Sequence, residues 1–196
     1  MSVVPELLSH DVVHLQQQRQ LWRNDFSVLD GQGREIGRVV GTDTGAGRFF
    51  LGNRNFVLVD ASQQVLAHLH DPFNWGRDTF SITLPDGQPL AHLRKEFSMF
   101  RKRISLALGD GTPLEVTGSF WDRDFEISDT AGNLMARADR KRRTLSEAFL
   151  GQDRYQINLT PGLAPGPRLA ILAAIIAVDL IRDKEDNAAA SSSSSN

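Results

Sequence analysis

Residues 94–103, Arg94-Lys95-Glu96-Phe97-Ser98-Met99-Phe100-Arg101-Lys102-Arg103, carry five positive charges and one negative, and Arg137-Ala138-Asp139-Arg140-Lys141-Arg142-Arg143 repeats that balance. In the first run Phe97, Met99 and Phe100 stand among the charges. Cations next to apolar side chains suit an anionic membrane surface, at about 1 kcal/mol per Lys or Arg near it. The competing reading is ordinary strand ends whose charges protect a sheet edge. The other groupings offer less. His68, His70 and Asp71 have the spacing of residues that share a strand face or adjoin it, as metal ligands do. Yet His68 and His92 both sit in Leu-Ala-His-Leu, and repetition favours a structural role. Asp122, Asp124 and Glu126 alternate like the opening of a calcium loop, but glycine is needed where Ile127 stands and a carboxylate where Asn133 stands. They read as one solvated strand face. Gly31, Gly33 and Gly37 approximate a dinucleotide fingerprint, one residue too long and joining two strands instead of a strand and a helix.

No Gly-x-Ser-x-Gly nucleophile elbow and no phosphate-binding loop occurs. With no cysteine, disulfides, thiolate metal sites and cysteine nucleophiles are excluded. The expectation is a protein that is not an enzyme and needs no cofactor. A formal net charge of −2 gives no global drive toward nucleic acid. Met1 to Pro5 lack the basic-then-apolar pattern of a secretory signal, and absent cysteine fits a reducing compartment. The expected location is the cytoplasm, peripheral at the inner membrane face if the basic runs act as read above.

The elements that would position these runs come from a repeat. An aromatic residue or Ile is followed seven residues later by a turn glycine and then three later by an aliphatic residue or Met. The frame fits Phe26, Val28, Gly33, Ile36; Phe80, Ile82, Gly87, Leu90; Ile104, Leu106, Gly111, Leu114; and Phe125, Ile127, Gly132, Met135. Phe56, Leu58, Gln63 and Leu66 keep the spacing with Gln63 in place of glycine. Phe80, Ile82 and Leu84 alternate with Ser81 and Thr83, the period of a half-buried strand. The turns are Asp-x-x-Gly or Asp-Gly, in which Asp bonds nearby backbone N–H groups and Gly takes the left-handed conformation. Each repeat is a β-hairpin. Val12 to Gln16 and Tyr155 to Leu159 add one strand each.

About twelve antiparallel strands lose their edges by closing into a barrel. Such a barrel is too wide for its own side chains to fill. Leu169 to Ile181, LAILAAIIAVDLI, is an apolar helix of about 13 residues, against about 20 for a membrane span. Its length, about 20 Å, matches a strand of about six residues, so it serves as the plug. Asp179 interrupts it and needs a partner when buried; the expectation is an inward salt bridge to a barrel arginine, the alternative being that Asp179 lies at the barrel mouth, solvated or paired with Arg182 or Arg168. Residues 1–9 read as a lead-in, 10–186 as one domain, and 187–196 as a disordered Ala/Ser tail.

The repeated hairpins, the Tyr-x-Ile-x-Leu strand at Tyr155–Leu159, the segment GSFWDRDFEI (Gly118 to Ile127) and the helix ending Ala177-Val178-Asp179-Leu180-Ile181-Arg182 resemble the Tubby C-terminal-like superfamily. The nearer branch is that of the phospholipid scramblases and LURP-one-related proteins. The resemblance implies a twelve-stranded barrel around a central hydrophobic helix. It also implies association with lipid headgroups, phosphoinositides among them, or lipid translocation. The sequence departs from the scramblases: it has no cysteine cluster and no proline-rich extension, and Asn158 to Pro167 contains no carboxylate for calcium. The expected function is therefore non-enzymatic binding of anionic phospholipid headgroups by a basic barrel rim of Arg94, Lys95, Arg101, Lys102, Arg103, Arg140, Lys141, Arg142 and Arg143. The alternatives are lipid scrambling, a small-ligand barrel, or a protein-interaction module of unknown partner.

Overall fold

The computed structural model describes residues 5–20, 23–42, 54–72, 79–98, 101–119, 122–139 and 154–193. A 3-10 turn, Glu6–Leu8, precedes β1 (Val12–Gln20). Five hairpins follow: β2 (Arg23–Leu29) with β3 (Glu35–Gly41), β4 (Arg54–Asp60) with β5 (Val65–Asp71), β6 (Thr79–Thr83) with β7 (Pro89–Ser98), β8 (Arg101–Leu108) with β9 (Pro113–Ser119), and β10 (Asp124–Ser128) with β11 (Leu134–Asp139). β12 (Arg154–Leu159) and one helix, α1 (Pro165–Ser193), complete the chain. Every strand pairs antiparallel with its sequence neighbours, and β12 returns to β1, so the sheet closes into a barrel of twelve strands. This is the architecture the repeat implies, with each of its five hairpins formed as a paired unit.

All five hairpin turns share one geometry. The residue opening the turn donates its N–H to the carbonyl four residues on and accepts from the N–H three residues on, as in Asp30 with Arg34 and Gly33 (2.9 and 3.1 Å). The same pairs form at Asp60, Leu84, Leu108 and Asp129. The fourth turn residue has positive φ: Gly33 (85°), Gly87 (86°), Gly111 (87°), Gly132 (83°) and, without glycine, Gln63 (66°). The N–H that follows the left-handed residue, on Arg34, Gln64, Gln88, Thr112 or Asn133, goes to an aspartate. Asp30, Asp60 and Asp129 reach it from the first turn position, Asp86 and Asp110 from the third. Two sequence spellings therefore satisfy one donor. Gly37 has a different role: a Cβ there would lie 2.9 Å from Leu7 Cδ1 and from the Val59 carbonyl oxygen. The spaced glycines of the first hairpin are thus a turn and a space for the buried Leu7.

Inward positions form one core, including Phe26, Leu58, Leu69, Phe80, Leu93 and Ile127. α1 completes it. From Arg168 to Ile181 every residue of the helix is buried, which on successive turns requires cover on all sides. Leu169, Ile171, Leu172, Ile175, Ile176 and Val178 are all within this stretch, as the length match required. The helix backbone lies nearest β5, β6, β7 and β8. Ala170, Ala173, Ala174 and Ala177 follow the spacing of one helix face and allow close approach. The helix runs on to Ser193, so residues 187–193 are helical where a disordered tail was expected. Alanine is the best helix former, and an existing helix propagates at low cost.

The ends of the barrel are distinct. The turns lie at one end, here the turn end, together with the start of β1 and the close of β12. Arg168 anchors the helix there, donating to the His10 carbonyl (2.8 Å) and to Asp11 (2.6 Å). The opposite ends of the same strands, among them the close of β7 and of β11, form the other end, here the connection end, toward which α1 runs.

Two outcomes are expected from the turns. Replacing Gln63 with Gly should stabilise the fold by about 0.5 kcal/mol, because the left-handed backbone no longer carries a Cβ. Gly132→Val should destabilise it by about 1 kcal/mol or more. Urea unfolding of both variants measures this.

Hydrogen bonds from Thr112 hold the Asp110 carboxyl below its ordinary value, and bonds from Asn133 do the same for Asp129. Burial would raise Asp30, but bonds from Arg34 and Gln32 outweigh it and lower the group as well. A carboxyl lowered on folding stabilises the fold above its unfolded value of about 3.9, and this is lost as pH falls through the folded value. The thermal midpoint should therefore drop as pH falls below about 4, with a shallower decline in Asp110→Asn and Asp129→Asn.

Candidate functional site at the connection end of the barrel

Strand direction carries the first basic run to the connection end. β7 and β8 are paired as far as Ser98 with Arg101, Phe97 with Lys102 and Glu96 with Arg103. Arg94 is exposed, opposite Thr79 at the start of β6. Lys95 departs from the expected rim: it is 3% exposed. Alternation turns it to the inner face, two residues beyond the buried Leu93, so it is removed from the outward-facing set. For Arg101, Lys102 and Arg103 the backbone is described and the side chains are not. Arg140, Lys141, Arg142 and Arg143 lie outside the described residues. β11, which leads into them, ends at Asp139 on the connection end.

The helix meets this end through two ion-pair clusters. Asp179, 3% exposed, accepts from Arg123 Nε at 3.2 Å and from Arg182 Nη1 at 3.3 Å. This is the inward bridge to a barrel arginine expected for Asp179, together with the Arg182 contact held as the alternative. Arg123, itself buried, lies over the Tyr155 ring at 5.2 Å, a favourable place for a guanidinium. It holds φ of 56°, a left-handed conformation that disfavours any residue with a Cβ. In the second cluster Asp71, fully buried, accepts from Arg54 at 2.8 Å and from Lys184 at 3.5 Å. Arg54 also donates to the Leu180 carbonyl at 3.1 Å and lies over Phe56 at 5.7 Å. Each cluster joins a barrel arginine, a carboxylate and a cation from the last described side chains of the helix.

Arg123, Arg54 and Asp71 were not singled out from sequence for this role. Asp71 carried a signal, since it continues the inward period of Ala67 and Leu69. Arg123 carried none, because its partner is 56 residues away. His68 and His92 occupy equivalent exposed positions on the outer wall. Asp122 and Asp124 are exposed, and Glu126 pairs with Arg137 at 3.2 Å. His70 contacts Asn55. Among the described residues no group of three or more His, Cys, Asp or Glu is arranged to hold a metal.

Removing one member of a buried ion pair leaves the other charge desolvated. Arg123→Ala or Asp179→Ala alone should cost about 3–5 kcal/mol. The paired replacement Arg123→Met with Asp179→Leu should cost less than either single, because the cation that then loses its carboxylate is Arg182, which is part-exposed just beyond the buried stretch of the helix. Chemical denaturation of the singles and the double measures the coupling.

The family comparison supplies the remaining context. The LURP-one-related family model matches residues 12–179. A crystal structure of the Arabidopsis thaliana protein AT5G01750 superposes with a TM-score of 0.59 at 16% identity, covering 95% of this chain and 99% of that one. No curated protein matches the sequence. At that identity the Arabidopsis structure speaks for the fold, and the family model, which spans most of the chain, speaks for descent: the protein belongs to the LURP-one-related family.

Proposed function

We propose that this protein binds anionic phospholipid headgroups at a membrane surface through the connection end of its barrel, without catalysing a reaction. The observation that carries the reading is strand direction. β7 runs into Arg101–Arg103 through its pairing with β8, and β11 runs toward Arg140–Arg143, both at the same end. The strand that carries the first run and the strand that leads into the second thus reach the same end, and the reading is that both runs share one rim. Arg94 adds an exposed cation on the adjoining wall. Lys95 is excluded from the binding set by its burial. The buried ion pairs have a supporting role, keeping the helix seated so that the rim has a fixed frame. Among the described residues no helix is long and apolar enough to cross a membrane; the reading needs none, since the rim meets the surface from the cytoplasmic side.

Co-sedimentation with vesicles tests the proposal. Phosphatidylcholine vesicles containing phosphatidylserine or a phosphoinositide should bring the protein down, and pure phosphatidylcholine should not. Binding should weaken as salt shortens the Debye length below about 8 Å. The double charge reversal Arg101→Glu with Lys141→Glu should abolish it. Equal sedimentation of wild type and double variant would overturn the proposal.

A further inference from the structure

One hairpin departs from the other four. Four residues after the left-handed turn position the repeat places Gly37, Ala67, Ala91 and Ala136, all buried. In each of those hairpins the ladder shifts register by a bulge beside them. β9 has Glu115 at this position, and it is exposed. A glutamate cannot take a buried apolar position without a partner, and the β8–β9 ladder starts without the shift. It also stops early. Among the described residues β8 pairs with β9 only at Ala107–Pro113 and Leu106–Leu114. On its other side β8 stays paired to β7 as far as Arg101, and β9 stays paired to β10 as far as Ser119. Among the described residues, 101–105 and 115–119 are therefore two strand edges that face each other across a seam. The inner face of β9 is open beside it: Val116, opposite buried Ile127, is half-buried, and Gly118, opposite buried Phe125, is exposed.

We propose that this seam accepts an extended acidic peptide segment, added as a strand to the edge of β8. Strand edges carry rows of N–H and C=O groups that another strand satisfies in register. Charge selects the occupant. Arg101, Lys102 and Arg103 hold consecutive positions on the β8 edge, so a strand with carboxylates opposite them is favoured and a basic one is opposed. Glu115, at the closed end of the seam, places the acidic stretch toward the connection end. The inference stands on ladder pairing and does not rest on the membrane reading.

The test uses the full chain and a blocked peptide of about ten residues alternating Glu and Val, enough for one strand. The control has Pro in place of Val, with equal charge and fewer N–H groups. Amide exchange followed by NMR should slow across residues 101–105 with the Glu–Val peptide and not with the control. Equal protection by both peptides, or binding that leaves these amides unchanged, would overturn the proposal. So would protection by phosphatidylserine vesicles without protection by the peptide. A second variant separates strand addition from plain charge attraction. Glu115→Ala restores the small residue of the other repeats, which should close the seam and weaken the peptide by about tenfold, or 1.4 kcal/mol. Charge attraction alone predicts tighter binding when this glutamate is removed.

Discussion

Closing twelve strands into one barrel creates a lumen that inward side chains of its own wall cannot fill, and everything else in the structure follows from filling it with a helix. α1 is apolar around its whole circumference from Leu169 to Val178 because each of its faces meets a wall. Alanine and branched aliphatic residues alternate along it to fit a space that is nearer β5 to β8 than the opposite strands. The wall answers with Phe26, Phe80 and Phe125 at equivalent repeat positions. Neither part could bury its apolar surface without the other, so helix and barrel form one cooperative unit.

A helix threaded through a barrel must be held at both ends by groups that do not obstruct it, and the two ends differ in how this is done. At the turn end Arg168 reaches the backbone and side chain at the start of β1, while Leu7 occupies the room left by Gly37. At the connection end the helix is met by buried charge. Asp179 with Arg123, and Asp71 with Arg54 and Lys184, tie two separate places on the wall, the approach to β10 and the paired ends of β4 and β5, to the end of the buried helix. Such pairs add little net stability, since desolvation offsets attraction, but they penalise any shifted placement in which one charge is stranded. The positive φ of Arg123 fits this role: the backbone is held in a disfavoured region to deliver a guanidinium to the helix.

The repeat also shows what the barrel tolerates. Gln63 takes the left-handed turn position that glycine takes elsewhere, and the cooperative wall absorbs the local cost. Glu115 replaces a buried small residue, and the consequence is larger, because it alters how β9 meets β8. The basic residues of β8 flank that interruption. Both proposed binding surfaces thus lie toward the connection end, where strand ends and helix meet. The turn end is occupied by tight turns whose polar groups are already satisfied by their own aspartates.

Local rules made much of the fold readable. Alternation of Phe80, Ile82 and Leu84 with polar residues has the period of a strand, and Asp with Gly at fixed spacing encodes a left-handed turn, so the hairpins and their closure followed from short-range chemistry. The apolar run at Leu169–Ile181 was too short to span a bilayer and long enough to fill a barrel, and Asp179 within it demanded a partner for the same reason that any buried charge does. The identity of that partner was not legible, since Arg123 is brought to Asp179 only when the barrel closes around the helix. Lys95 belongs to a basic run in the sequence, but pairing with Ile104 gives it the inner face and removes it from the rim. Sequence counts charges; the register of a closed sheet decides which of them reach solvent, because shifting a strand by one residue exchanges its two faces.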